Sequence, residues 1–304
     1  MSRIGATMNS LLQLSFFSSI EDELNELSEE ITNAKMVQLM APADLDGILA
    51  LAQLEASFLD NSLHYRRRVL PSRKHVGRDH VEDLPTVDGL IVHIDPFSES
   101  RKSFEVSENV IHIRPIEVEL SFPTSEKIHH GAIDCVAICA AISAIISPEG
   151  ARVRKQRSMA IAGCWLRQGL NANYDPVMSV IRDHLDSEGS IDIRPLPEVA
   201  NPAPGMIPGL SERMLKRLSK GWAGMDVDAR SSAISELVLP ALREDGISTM
   251  RLEELIWHRA MIPGFDSDIA SQLHLATNGW PEDADEARVH ASSVADLLIM
   301  NGHL

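Results

Sequence analysis

Cysteine is scarce in this chain: there are three, Cys135, Cys139 and Cys164, all in apolar company and none in a CxxC pair. That excludes a disulfide framework and points to buried thiols in a reducing compartment. Cys135 and Cys139 lie one helical turn apart, but no second ligand pair stands near them to complete a zinc site. Aromatic residues make up 4% of the chain, so few rings are on offer for stacking on bases. Basic residues are outnumbered, 28 Lys and Arg against 44 Asp and Glu, a formal charge of −16. Such a surface repels polyanions on average, and any contact with one must come from local basic patches. Long apolar runs are missing too. "CVAICAAISAII" (Cys135 to Ile146) is too short to cross a bilayer and reads as a buried helix. "SLLQLSFF" (Ser10 to Phe17) has only Arg3 ahead of it and no small-residue cleavage site behind it, so it does not read as an export signal. The expectation is a cytoplasmic protein with no membrane segment.

What is present is enough apolar sequence for real cores: 44% hydrophobic residues over 304 positions, one large or two modest domains. "SIEDELNELSEEITNA" is an acidic amphipathic helix with Ile20, Leu24, Leu27 and Ile31 on one face and Ser19 as its expected N-cap. A strand follows over Met36 to Met40, then the turn Asp44-Leu45-Asp46-Gly47 and a helix from about Ile48 to Phe58. "SLHYRRRVLP" (Ser62 to Pro71) alternates like a half-exposed strand. "VDGLIVHID" (Val87 to Asp95) and "NVIHIRP" (Asn109 to Pro115) are further strands, followed by helices over about Ala132 to Ile146 and Ala151 to Gln168.

Strands alternating with helices imply an α/β domain with a mostly parallel sheet flanked by helices, to about residue 198. In such sheets ligands collect beyond the carboxyl ends of the strands, and Asp44, Asp46 and Asp95 all fall there. Prolines and glycines in "IRPLPEVANPAPGMIPG" (Ile193 to Gly209) mark a linker or crossing loop, and residues 199–304 read as a helical C-terminal region. Within it "MIPGL" (Met206 to Leu210) recurs as "MIPGF" (Met261 to Phe265), each followed by a helical stretch and a Gly-Trp pair. A two-copy repeat and a coincidence of Pro-Gly turns are both open. Pro-Gly before a helix also hints at a helix-hairpin-helix module, though Ser211 stands where that motif wants a second glycine. The last helix, "EARVHASSVADLLIM", places Val289, Val294, Leu297 and Leu298 on an apolar face.

The order of elements and the aspartates resemble the DHH phosphoesterase superfamily, and within it the RecJ-like proteins of archaea. The resemblance covers roughly the first two-thirds of the chain. It implies a first motif His-x-Asp-x-Asp-Gly, which here reads Pro42-Ala43-Asp44-Leu45-Asp46-Gly47. It implies a second strand ending in a metal-binding aspartate, matched by Asp95 in "LIVHID". The Asp-His-His signature should end the third strand, where Arg114-Pro115-Ile116 stands instead. No carboxylate occupies the region of the fourth motif, Met159 to Leu170. His129-His130 lack a preceding aspartate and do not count as a displaced signature. A two-metal hydrolase needs several carboxylates and imidazoles to hold its ions and the water between them.

The resemblance therefore implies a degenerate member, similar to the catalytically silent RecJ-like subunit that joins GINS to the MCM ring in the replicative helicase. Its expected cofactor is none, or one weakly held Mn2+ or Mg2+ on Asp44, Asp46 and Asp95. Its expected partners are a GINS-type replication protein and single-stranded DNA. No glycine-rich DHHA1 segment is recognisable, which also weighs against an enzyme. The alternative is an active metal-dependent phosphoesterase or exonuclease on short single-stranded nucleic acid. A third reading is an interaction protein unrelated to DNA that reuses the same fold. For Asp44 and Asp46 two uses stay open, metal ligation and capping of the following helix. Two basic clusters are candidates for a phosphate track: Arg66, Arg67, Arg68, Arg73, Lys74 and Arg78, then Arg152, Arg154, Lys155 and Arg157. Against that stands the reading that they pair with the protein's own surplus acids.

Overall fold

A six-residue segment that buries every side chain, Val37–Pro42, cannot be a surface strand, and it lies inside a sheet with a partner on either side. The computed structural model describes residues 11–76, 84–98, 104–107, 109–121, 127–167, 176–244 and 247–304. Two short turns of helix open it, the second being α1 (Ser15–Ser18), followed by α2 (Glu21–Asn33). Then come β1 (Val37–Pro42), α3 (Leu45–Asp60), β2 (Tyr65–Leu70), β3 (Leu90–Ile94), β4 (Glu105–Ser107) and β5 (Val110–Ile113). A hairpin of β6 (Ile116–Ser121) and β7 (Ile128–Ile133) precedes α4 (Cys135–Ile146), α5 (Ala151–Gln156), α6 (Ala162–Arg167) and α7 (Pro176–Glu188). The remainder holds β8 (Asp192–Arg194), α8 (Glu212–Gly221), α9 (Val227–Val238), α10 (Thr249–Trp257), β9 (Arg259–Met261), α11 (Ile269–Asn278) and α12 (Ala284–Asn301).

The chain forms two compact units. The first comprises residues 1–164, 175–188 and 279–304, and the second comprises 165–174 and 189–278. The sequence placed a boundary after residue 198, whereas the chain leaves the first unit at residue 188 and returns to it at 279. It returns because α12 has a face to bury, and that face packs on α3, α5 and β2. The face differs from the expected one. Ala287, Ala291, Val294, Ala295 and Leu298 are buried, while Val289 and Leu297 are exposed. Small alanines let the helix approach closely, and a periodic count of large apolar residues does not register them.

In the first unit the sheet order is β2-β1-β3-β5-β4, with β2, β1, β3 and β5 parallel and β4 antiparallel at the edge. The four expected strands are all here. Leu39 of β1, Val92 of β3 and Ile111 and Ile113 of β5 share one face and are fully buried. The helices α3 and α4 lie against this side. By register the other face carries Gln38, Arg66, Arg68, His93 and His112. Sequence reasoning missed the β6–β7 hairpin and ran the next helix back to Ala132. Ala132 and Ile133 instead finish β7, and Asp134 starts α4 by accepting from the backbone N–H groups of Val136 and Ala137. Ser19 does not cap α2: Ile20 holds that position, and the Ser19 hydroxyl donates to the Phe16 carbonyl. Residues of the early apolar run are core, with Leu11, Phe16 and Phe17 buried. Among the described residues no helix is long and apolar enough to cross a membrane.

Among its described residues the second unit is helical apart from the short antiparallel pair β8–β9. Its two Met-Ile-Pro-Gly segments make the same turn. Gly209 and Gly264 both have positive φ, and the N–H of Leu210 and of Phe265 donates back to the carbonyl of Ile207 and Ile262. Proline second and a left-handed glycine third make a type II turn. The repeat goes no further, because Trp222 is buried in the second unit and Trp280 belongs to the first. The shared sequence is turn chemistry rather than a duplicated module.

Candidate functional site

The sheet reverses its winding at β1. From β1 the chain passes to β2 on one side and then to β3 on the other, so the carboxyl ends of β1 and β3 flank a switch point, where open α/β sheets bind ligands. Asp44 and Asp46 follow β1 and Asp95 follows β3. The three predicted aspartates thus follow the carboxyl ends of two neighbouring strands, and two arginines follow the ends of two others. Arg73 follows β2, and Arg114 follows β5. Asp134, which the sequence did not single out, starts α4 close by. The charges of Asp134, Asp95 and Asp46 all act on the buried Cys135 thiol.

Asp44, Asp95 and Asp134 each have partners inside the protein. Asp44 is 6% exposed and sits at the N-cap position of α3, but its side chain makes no cap bond. It accepts instead from the Ser72 hydroxyl at 2.6 Å and the Arg73 backbone N–H at 2.8 Å, tying the loop after β2 to the end of β1. The cap expected of Asp44 is thus corrected: a buried carboxylate takes the nearest strong donors, and the loop after β2 brings them closer than the helix does. Asp95 faces Arg73, whose guanidinium lies 3.6 Å from its carboxylate, both side chains being mostly buried. Asp134 also receives the Cys164 thiol at 3.1 Å, and a Cβ on Gly163 would come within 2.0 Å of its oxygen, so only glycine fits there. Gly47 has a similar reason: a Cβ would meet the Pro42 carbonyl at 2.7 Å and its ring at 2.8 Å. Pro42, standing where the resemblance implies a histidine, packs against the first turn of α3 and has no ligand atom to offer. Trp280 closes this corner by donating its indole N–H to the Ala43 carbonyl at 2.9 Å.

Among the described residues no three His, Cys, Asp or Glu side chains are grouped as a metal ion requires. The residues present suit a cation poorly. Arg73 already supplies positive charge to Asp95, and Asp44 is turned toward its two donors. Burial, with Cys139 next, pushes the Cys135 thiol well above its ordinary pKa, and burial does the same to Cys139, so both are protonated thiols here. His129 and His130 lie on the β6–β7 hairpin, where His130 stands opposite Glu119.

His93 and His112 pair across β3 and β5, Nδ1 to Nδ1 at 3.1 Å with the rings edge to face. Burial, then the neighbouring His112, lowers the His93 pKa from 6.5 to about 4, with Arg114 and Arg73 adding to the effect and Asp95 opposing it. The native protein therefore binds fewer protons than the unfolded chain between these values. Stability is full above pH 6.5 and falls as pH drops towards 4, by roughly 3 kcal/mol in all. Urea midpoints measured from pH 7 to 4 should show this loss, and His93→Gln should remove most of it. An equal slope in the variant would assign the acid sensitivity elsewhere.

The candidate phosphate contacts are dispersed. Arg66 is exposed. Arg68 donates to the Gln38 side chain at 3.1 Å. Arg67 is committed inward to Glu55 and Asp296. Lys74 is exposed, and Arg78 lies outside the described residues. In the second cluster Arg152 pairs with Asp60 at 2.8 Å, Arg154 with Glu149 at 2.8 Å, and the Lys155 ammonium with the Met300 carbonyl. Arg157 is buried against Glu188 at 2.9 Å. That cluster largely pairs with the protein's own acids and backbone.

Comparison with known proteins adds little. No family profile matches the chain. No curated protein matches it either. Among solved structures it is similar to RecJ in complex with Mn2+ from Thermus thermophilus, at 14% identity and a TM-score of 0.32. The match covers 91% of this chain and 37% of that one, so the chain spans little more than a third of the protein it resembles.

Proposed function

We propose that this protein is a non-catalytic, RecJ-like factor of nucleic-acid metabolism, a scaffold in replication or repair rather than a hydrolase. The observation that carries this reading is the occupation of the switch-point aspartates by the protein's own groups. Asp44 is held by Ser72 and the Arg73 backbone, and Asp95 faces the Arg73 guanidinium. A fixed arginine supplies the charge that an ion would otherwise bring, but it cannot activate water. In this role the chain binds a GINS-type partner and single-stranded DNA. The competing reading is a phosphoesterase working with one divalent cation on Asp46 and Asp95, favoured by their position at the switch point.

An exonuclease assay on a single-stranded oligonucleotide with Mn2+ decides between them. We expect no Mn2+-dependent cleavage, and no difference between the native protein and Asp46→Ala/Asp95→Ala. Cleavage that needs Mn2+ and is lost in the double variant overturns the scaffold reading. For the partner, co-elution with the GINS complex of the same organism is expected on size exclusion, and independent elution removes that part of the proposal.

A further inference from the structure

We infer that the second unit carries a binding surface for single-stranded nucleic acid, built from one face of α8 and the cavity beside it. The inference rests on the nucleic-acid part of the reading above and assigns it to residues of the second unit.

The helix α8 reads ERMLKRLSKG. Leu215 and Leu218 are buried, while Arg213, Lys216, Arg217 and Lys220 are all exposed. Their spacing of three, four and seven residues puts the four cations in one stripe, about 10 Å long at the helical rise of about 1.5 Å per residue. Among the described residues none of the four has a salt bridge or side-chain hydrogen bond, in contrast to Arg67, Arg152, Arg154 and Arg157. In a chain with a formal charge of −16, four exposed cations on one helix face make a local basic patch of the kind a polyanion contact needs.

The stripe borders a cavity. Lys216 and Lys220 also line a space of about 520 Å³, whose other walls include Pro202, Pro204, Ile207 and Leu210. That volume is within the ~300–1,000 Å³ range of small-molecule sites and exceeds what one nucleobase needs. Arg259, 1% exposed, forms part of the wall, and among the described residues its Nε–H has no acceptor. The wall carries two carboxylates, Glu198 and Glu212. Glu198 already accepts the Trp222 indole N–H at 2.8 Å, and Glu212 lies in the first turn of α8, where the helix dipole favours its charge. Phosphates on the stripe and an unstacked base in the apolar cavity make one site. A duplex, its bases already paired, can use only the stripe.

The test is fluorescence anisotropy with a labelled oligo-dT and a hairpin duplex of equal length, at low and raised salt. The native protein should prefer oligo-dT, with affinity falling as salt rises. Lys216→Glu/Lys220→Glu should weaken binding by about tenfold or more and flatten the salt dependence. Ser219→Trp, which fills the cavity and leaves the four cations in place, should weaken oligo-dT binding and spare the duplex. Ala203→Trp serves the same purpose if that variant does not fold. Equal affinity for duplex and single strand, or a native preference for polyglutamate, overturns the inference. Binding lost in Arg66→Glu/Arg68→Glu but kept in Lys216→Glu/Lys220→Glu also overturns it, while leaving the proposed function standing. Mn2+-dependent cleavage overturns the proposed function and leaves this surface untouched.

Discussion

Asp268→Ala should destabilise the second unit by about 3–5 kcal/mol, the largest effect expected of any single substitution in this protein. Asp268 is fully buried, and its carboxylate accepts the Arg259 guanidinium at 2.8 Å and the Ser271 hydroxyl and backbone N–H at 2.5 and 3.0 Å. Ser271 is used completely: its hydroxyl donates to Asp268 and accepts from Arg259 and from the backbone N–H of Ala203. Arg259 is itself 1% exposed. Removing the carboxylate leaves a buried guanidinium without its counter-ion, and arginine cannot shed its proton. The network also ties β9 and the start of α11 to the proline-rich segment at Ala203, so its loss should loosen all three. Urea unfolding gives the magnitude, and hydrogen exchange should place the loss in residues 189–278. A cost below about 1 kcal/mol would mean that the buried pair is hydrated. Replacing both charges by apolar residues of similar volume should recover much of the loss, because the pair's own desolvation cost disappears with it.

Glu55→Ala should cost about 2–4 kcal/mol and release α12 from the first unit. Glu55 is 3% exposed on α3. It takes both arms of Arg67, Nε at 2.9 Å and an Nη at 2.8 Å, and the Tyr65 hydroxyl at 2.7 Å. Burial, with the Glu55 carboxylate next, holds the Tyr65 phenol protonated far above its ordinary range, so this hydroxyl stays a donor at any working pH. From the same side chain Arg67 reaches Asp296 at 2.7 Å and the Ser292 carbonyl at 3.0 Å, both on α12. Without Glu55 the arginine keeps only its contacts to α12, one of them to an exposed carboxylate. The expected readout is a fall in hydrogen-exchange protection across α12 along with the drop in global stability. Unchanged protection there would mean that the apolar face of α12, with Trp280 ahead of it, holds the helix alone.

Both predictions turn on charged residues that a sequence reading treats as surface. Arg67 looked like one of three arginines on a half-exposed strand. It points to the opposite face from Arg66 and Arg68 because a strand alternates, and only the position of α3 decides which face is inside. Arg259 and Asp268 carried no sequence signal at all. The basic stripe of α8 was overlooked for the opposite reason. Its four cations are spread over eight residues, whereas "RRR" and "ARVRKQR" are contiguous. Contiguity catches the eye, but helical spacing makes a surface.

The sequence by itself determined the four strands of the parallel sheet, though it ended the first at Met40 where the strand runs on to Pro42. Runs such as "LIVHI" bury every residue, and the turn residues after them leave no other reading. It determined that Asp44, Asp46 and Asp95 stand beyond the strands' carboxyl ends. Tertiary structure alone decided what those aspartates hold. Hydrogen-bond partners of a buried carboxylate are set by what folds against it, and here that is Ser72 and Arg73, nearly thirty residues further along the chain. The same reason separates the second basic cluster from the stripe on α8. Charge is written in the sequence, but whether it is neutralised depends on which acid the fold brings within reach.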